Sequence, residues 1–171
     1  MLRVTILTGC LAWTVAAHSD AGSSQVRLST GEQRVTLIEL YTSEGCSSCP
    51  PADRWLSGLK ADSGLWQEFV PVAFHVDYWD YIGWKDRFAR PAYSDRQRAY
   101  EEAGRTRTVY TPGFFTQGDE WTGFFAGQAL RVDRTPVGML ELYVDGDRAT
   151  ARFTPRFEDH GELILHMALL G

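Results

Sequence analysis

Two regimes of apolar and polar positions follow one another along the chain. Val35, Leu37, Ile38, Leu40 and Tyr41 make a nearly continuous apolar run within residues 34–42, and residues 69–76 make a second. Short runs rich in β-favouring side chains predict strands, and runs without polar alternation suit strands covered on both faces. Ser43-Glu44-Gly45 breaks the first run, and Pro50-Pro51-Ala52-Asp53-Arg54-Trp55-Leu56 opens a helix with Trp55, Leu56 and Leu59 as its buried stripe. Prolines suit a first helical turn, where backbone N–H groups have no intrahelical partner. Ser94-Asp95-Arg96-Gln97 has the form of a capping box and predicts a helix starting at Ser94 and ended by Gly104. Residues 113–116 read as a third strand, turned by Gln117-Gly118-Asp119. The order β-α-β-α-β argues for an α/β fold whose sheet contains parallel strands, with helices on its faces.

Beyond Gly123 and Gly127 the pattern changes. Residues 139–144 and 148–153 predict strands joined across Asp145-Gly146-Asp147, a hairpin signal, and residues 162–170 predict one more. At the other end, Arg3 precedes an uncharged, mostly apolar run from residue 4 to 17 that closes on Val15-Ala16-Ala17. This is the form of a signal peptide over residues 1–17, with a second cleavage choice at residue 21. The run is shorter than the roughly 20 residues a spanning helix needs. Leu7-Thr8-Gly9-Cys10 also resembles a lipoprotein cleavage box, which would place a lipid on Cys10. Only nine residues precede that cysteine, so simple secretion is the preferred reading. The chain divides into residues 1–17 (signal), 18–33 (flexible leader), 34–130 (α/β domain) and 131–171 (C-terminal β segment).

Composition narrows the function classes. Hydrophobic residues at 44% and charged residues at 23% are ordinary for a globular domain that folds without staples. The net charge is −5, and no basic cluster stands ready to neutralise a phosphate backbone, which argues against nucleic-acid binding. A glycine-rich phosphate loop between strand and helix is also missing, so no organic cofactor is implied. Membrane association would come only through the leader or a lipid on Cys10.

With Cys10 in the leader, the folded part holds two cysteines, Cys46 and Cys49. In an oxidising compartment such a pair closes to a disulfide unless something keeps it reduced. Its place between strand and helix would expose a thiolate to the positive end of the helix dipole. Pro50 complicates this, because the residue before proline avoids the α region; Cys49 is expected to be extended and the helix delayed. An inert bridge is the rival reading, although so small a loop restricts the unfolded chain little. His75 and Asp77, two apart on a strand, could join Cys46 and Cys49 in a sulfur and nitrogen site for copper or zinc, or His75 could be structural. Tyr78, Trp79, Tyr81, Trp84 and Phe88 either pack over the sheet edge, the preferred reading, or wall a groove for an unfolded peptide. Glu39, upstream of the pair, could relay protons if its carboxylate lies beneath the sulfurs.

Three blocks carry a resemblance. They are Glu39-Leu40-Tyr41-Thr42-Ser43-Glu44-Gly45-Cys46-Ser47-Ser48-Cys49-Pro50-Pro51-Ala52-Asp53, then Phe74-His75-Val76-Asp77-Tyr78-Trp79-Asp80-Tyr81-Ile82-Gly83-Trp84-Lys85-Asp86, then Val109-Tyr110-Thr111-Pro112. Together they resemble the secreted bacterial thioredoxin-like family catalogued as a domain of unknown function, over residues 35–116. The resemblance implies a thioredoxin-like β-α-β-α-β core followed by an antiparallel hairpin or meander. Members of that family continue past residue 171, so the C-terminal β segment is expected to be incomplete. It also implies a cis bond before Pro112, whose loop faces the cysteines and offers the Thr111 backbone to a substrate. Cys46 would attack and Cys49 resolve, in a secreted or periplasmic thiol–disulfide oxidoreductase acting on protein or small-molecule thiols with no cofactor beyond its disulfide. Two rivals stay open. One is a copper carrier resembling the thioredoxin-like assembly factors of respiratory oxidases, with Cys46, Cys49 and His75 as ligands. The other is a binding module with a structural disulfide.

Overall fold

The first sheet is built around β2 (Thr36–Thr42), and the chain order is β1 (Val26–Ser29), β2, α1 (Pro50–Gly58), β3 (Phe69–His75), α2 (Pro91–Glu102), β4 (Gly113–Thr116), β5 (Asp119–Glu120), β6 (Gly138–Asp145) and β7 (Arg148–Pro155). The structure is a computed structural model that describes residues 25–158 and 161–166. The first sheet runs β3-β2-β4-β5, with β3 parallel and β4 antiparallel to β2. A second sheet, β1-β6-β7, is antiparallel throughout. This is a mixed α/β architecture, compatible with a thioredoxin-like core followed by C-terminal strands.

β2 is buried along both faces, as its unbroken apolar run requires. Ile38 and Leu40 pack with Ala52, Phe69 and Phe114 under α1, where Trp55, Leu56 and Leu59 supply the expected stripe. Tyr41 points to the other face and packs with Val76, Phe115 and Tyr100. Leu130 and Val132 close the α1 side, so the chain entering the second sheet is packed on the first core.

Several local expectations hold, and others are corrected. α1 begins at Pro50 with Cys49 as its cap, but Cys49 is helical (φ −77°, ψ −31°) and not extended. The turn is set upstream: Cys49 N–H donates to Cys46 O at 3.2 Å, and Ala52 N–H donates to Cys49 O at 2.9 Å. Those bonds and the disulfide outweigh the local preference of a residue before proline. α2 begins at Pro91, three residues before the expected cap, with Arg90 extended and proline in the first turn. Ser94 and Gln97 are therefore not a capping box; both lie inside the helix and are buried. Gly104, at φ +70°, follows the helix end as expected.

Gln117 and Gly118 have positive φ and turn β4 into β5, and Gly146-Asp147 turn β6 into β7. Part of the stretch read as a flexible leader is β1, which pairs with β6 from Val26↔Val144 to Ser29↔Glu141. Its exposed Val26 and Leu28 carry a weak pattern, and partner strand pairing decides its conformation. Residues 162–166 form no strand, against expectation, and the remainder of that segment lies outside the described residues, as does the leader through residue 24.

Candidate functional site

Leaving β2, Thr42 donates its hydroxyl to Asp53 in α1 at 2.7 Å, which ties the strand end to the helix start. The next residues coil through a tight turn, with Cys46 N–H donating to Ser43 O at 3.1 Å. Cys46 and Cys49 are joined as a disulfide, Cα atoms 5.4 Å apart. Cys49 is fully buried, Cys46 keeps 5% exposure, and Ser47 and Ser48 between them are exposed. The Ser48 hydroxyl lies 3.5 Å from Cys46 Sγ. Of the two, only Cys46 keeps any exposure.

The segment after β3 holds this turn in place. Asp86 is almost wholly buried, and its Oδ2 accepts the Glu44 N–H at 2.8 Å. The same oxygen lies 2.6 Å from His75 Nδ1, while Oδ1 accepts the Phe88 N–H at 2.9 Å. Burial pushes the Asp86 carboxyl up, but these bonds outweigh it and hold the group below its ordinary range. Trp84 Nε1 donates to Glu44 Oε2 at 2.9 Å. Gly45 is roofed by Ile82 and Trp79; a Cβ there would stand 3.3 Å from Ile82 Cδ1 and Trp79 Cβ. Trp79 Nε1 in turn donates to Thr111 Oγ1 at 2.7 Å, and the Thr111–Pro112 bond is cis. One aromatic residue thus spans from the cysteine turn to the loop before β4.

Gln97 fixes that loop from behind. Its Nε2 donates to the Tyr110 carbonyl at 2.7 Å, and its Oε1 accepts from Tyr78 at 3.1 Å. Burial raises the Tyr78 phenol to about 12. No sequence signal separated this buried glutamine from a helix cap; only its misfit with the Pro91 start could have done so.

The aromatic group divides. Tyr78 and Trp79 pack against the Tyr41 cluster, while Tyr81 and Trp84 are 80% and 60% exposed and Ile82 and Phe88 are open as well. Glu39 sits on the α2 face of β2, opposite the helix that carries the cysteines, since Ile38 and Leu40 take the α1 face. Its oxygens accept from Arg96 at 2.7 and 3.0 Å, from Tyr41 at 2.8 Å and from Tyr100 at 2.9 Å. Burial and the Glu39 carboxylate raise Tyr100 to about 12 and push Tyr41 up as well. An open pocket of about 300 Å³ between α2 and the β4–β5 turn exposes Arg96 and Arg105, but these are paired with Glu39 and Asp119.

His75 and Asp77 do not act as a pair. β3 ends at His75, which holds Asp86, while Asp77 is bonded to Ser94 of α2. Among the described residues no group of three or more His, Cys, Asp or Glu could hold a metal ion, so Cys46, Cys49 and His75 are not gathered as ligands. No helix among them is long and apolar enough to cross a membrane.

A search of curated proteins gives no match. A crystal structure of a protein from Agrobacterium tumefaciens, from the Northeast Structural Genomics Consortium, is 38% identical over 53% of this chain, with a TM-score of 0.46. The match covers 40% of that protein's length. A family model described as "Protein of unknown function (DUF1223)" matches residues 37–132, from β2 through the last packed residue of the first core. That span is more than half of the chain and includes the disulfide, the aromatic segment and the Thr111–Pro112 loop, so the chain belongs to the DUF1223 family.

Proposed function

We propose that the chain is an exported thiol–disulfide oxidoreductase of thioredoxin-like design, working through Cys46 and Cys49. The observation that carries this reading is the disulfide at the start of α1, with Cys46 keeping 5% exposure, Cys49 fully buried as the helix cap, and exposed Ser47-Ser48 between them. A bridge closing so short a loop adds little stability, which leaves chemistry as the better reason for it. A partner thiolate attacks Cys46 Sγ and the Cys46–Cys49 bond breaks, giving a mixed disulfide and a Cys49 thiolate. A second partner thiolate attacks the partner sulfur and releases Cys46 as thiolate. Two partner thiols become one partner disulfide, two electrons enter the protein pair, and the two thiolates take up the protons released. The same steps reversed reduce a partner disulfide, with Cys46 as attacking and Cys49 as resolving group. Pro112 and the Thr111 backbone are the platform beside which the partner would lie, tied to the site through Trp79. An oxidised pair fits a secreted or periplasmic location.

The test is the reduction potential of the pair, by equilibration in glutathione buffers and counting of alkylated thiols by mass. A value from about −120 to −270 mV supports exchange chemistry, the high end marking an oxidant and the low end a reductase. A value below about −300 mV, or a pair that never reduces, makes the bridge structural and ends the redox reading.

A further inference from the structure

The exposed half of the aromatic segment has no internal task in proportion to its area. Tyr81 is 80% and Trp84 60% exposed, with Ile82 and Phe88 about half exposed. Large apolar side chains grouped on one exposed stretch mark contact surfaces, and Trp and Tyr are the residues that most often anchor them. Here the group adjoins the disulfide turn through the Trp84–Glu44 bond and the packing of Ile82 on Gly45. Among its exposed charged side chains the cations outnumber the carboxylates, Glu44 being the exposed carboxylate. Lys85, Arg87 and Arg90 are exposed, whereas Asp86 is buried and Asp80 is spent accepting the Asp86 N–H at 3.1 Å. Glu44 is engaged by Trp84, and Arg87 lies over the Phe88 ring at 4.6 Å. A cationic rim around an aromatic patch is unusual on a chain of net charge −5.

On the strength of the redox reading above, we propose that this surface selects the substrate: an extended polypeptide whose exchanging cysteine is flanked by apolar and acidic side chains. The apolar residues lie on Tyr81, Ile82 and Trp84, the acidic ones meet Lys85 and Arg87, and the cysteine reaches Cys46 across the Glu44–Gly45 turn. Chemistry at the sulfurs is the two-step exchange given above, with two copies of the one-cysteine peptide each supplying one thiol and leaving joined by a disulfide.

Initial rates of exchange of the oxidised protein are measured with three probes. These are glutathione, a synthetic peptide with one cysteine flanked by leucine, phenylalanine and aspartates, and the same peptide with lysines in place of the aspartates. Each variant is compared with wild type on the same probe, so intrinsic thiol reactivity cancels. Tyr81→Ser with Trp84→Ser is expected to lower the peptide-to-glutathione rate ratio about tenfold for both peptides. Lys85→Glu with Arg87→Glu is expected to slow the acidic peptide and speed the basic one, with both effects shrinking as salt rises. If wild type exchanges with glutathione but both variants change all three rates in one proportion, the surface proposal falls and the redox reading stands. If wild type exchanges with none of the probes, both fall.

Discussion

Replacing Arg96 with methionine removes a guanidinium that donates through Nε and Nη2 to Glu39 at 3.0 and 2.7 Å, with Nη2 also 3.0 Å from the Tyr100 hydroxyl. Glu39 is 1% exposed, so water does not reach the carboxylate to replace what is lost. The Tyr41 and Tyr100 hydroxyls still donate to it, but no cation remains. Removing one partner of a buried ion pair costs about 3–5 kcal/mol. Arg96 is 44% exposed, so the pair is partly solvent-screened and the low end, about 3 kcal/mol, is expected. With a urea m-value of about 2 kcal/mol/M, the midpoint falls by roughly 1.5 M. The assay is urea unfolding of the oxidised protein followed by tryptophan fluorescence. Glu39→Leu combined with Arg96→Met should be less destabilised than Arg96→Met alone, because no unpaired charge is left in the sheet. The reasoning is refuted if Arg96→Met lies within about 0.5 kcal/mol of wild type, or if the double variant loses the sum of the two single losses.

Reducing the Cys46–Cys49 bridge should cost at most about 2 kcal/mol from loop entropy, so melts with and without reductant should both show a folded protein; unfolding on reduction contradicts this. Burial raises the phenols of Tyr41, Tyr78, Tyr100 and Tyr110, so the stability they contribute is full below about pH 10 and is lost as pH rises towards about 12, where Tyr78 and Tyr100 ionise in the fold. Their tyrosinate absorbance should therefore appear together with loss of circular dichroism. Asp86 has a lowered folded pKa, so its contribution is whole above the ordinary carboxylate value of about 3.9 and disappears as pH falls through the folded value. The stability deficit of Asp86→Asn at neutral pH should narrow in thermal melts below pH ~4, and a constant deficit would count against the charge. Gly138 has φ +124°, and a Cβ there would overlap the Thr154 carbonyl and stand 2.7 Å from Pro155 Cα, so Gly138→Ala should cost more than about 2 kcal/mol in urea unfolding.

How much of this was readable depended on whether local pattern and tertiary demand agreed. The buried run of β2 and the turn chemistry at Gly146 left few alternatives, and those elements formed where expected. Ser94 and Gln97 carry helix-cap chemistry, but Pro91 starts the helix earlier and the sheet uses both side chains inside, on Asp77 and on the Tyr110 carbonyl. β1 is only four residues long and its apolar face, Val26 and Leu28, is exposed, so its pairing with β6 rather than its pattern reveals it. Cys49 shows the same rule in reverse, with a local proline effect overruled by a turn and a bridge closing around it.

The position of Glu39 follows from period-two alternation and bears on the chemistry. Because Ile38 and Leu40 must face α1, Glu39 must face α2, and there Arg96, Tyr41 and Tyr100 take its oxygens. A proton relay beneath the sulfurs would need that carboxylate on the other face of the sheet. The polar group that does approach Cys46 is the Ser48 hydroxyl, 3.5 Å from Sγ in an exposed dipeptide. In the proposed exchange, proton traffic would run through solvent at Ser47-Ser48, while the Glu39 network locks α2 to the sheet. Ser48→Ala should consequently slow exchange with glutathione only a few-fold at most, whereas Arg96→Met should leave exchange intact wherever the protein is still folded. Rates compared with melts on the same samples separate the two roles, and a loss of exchange in folded Arg96→Met would place Glu39 back in the chemistry.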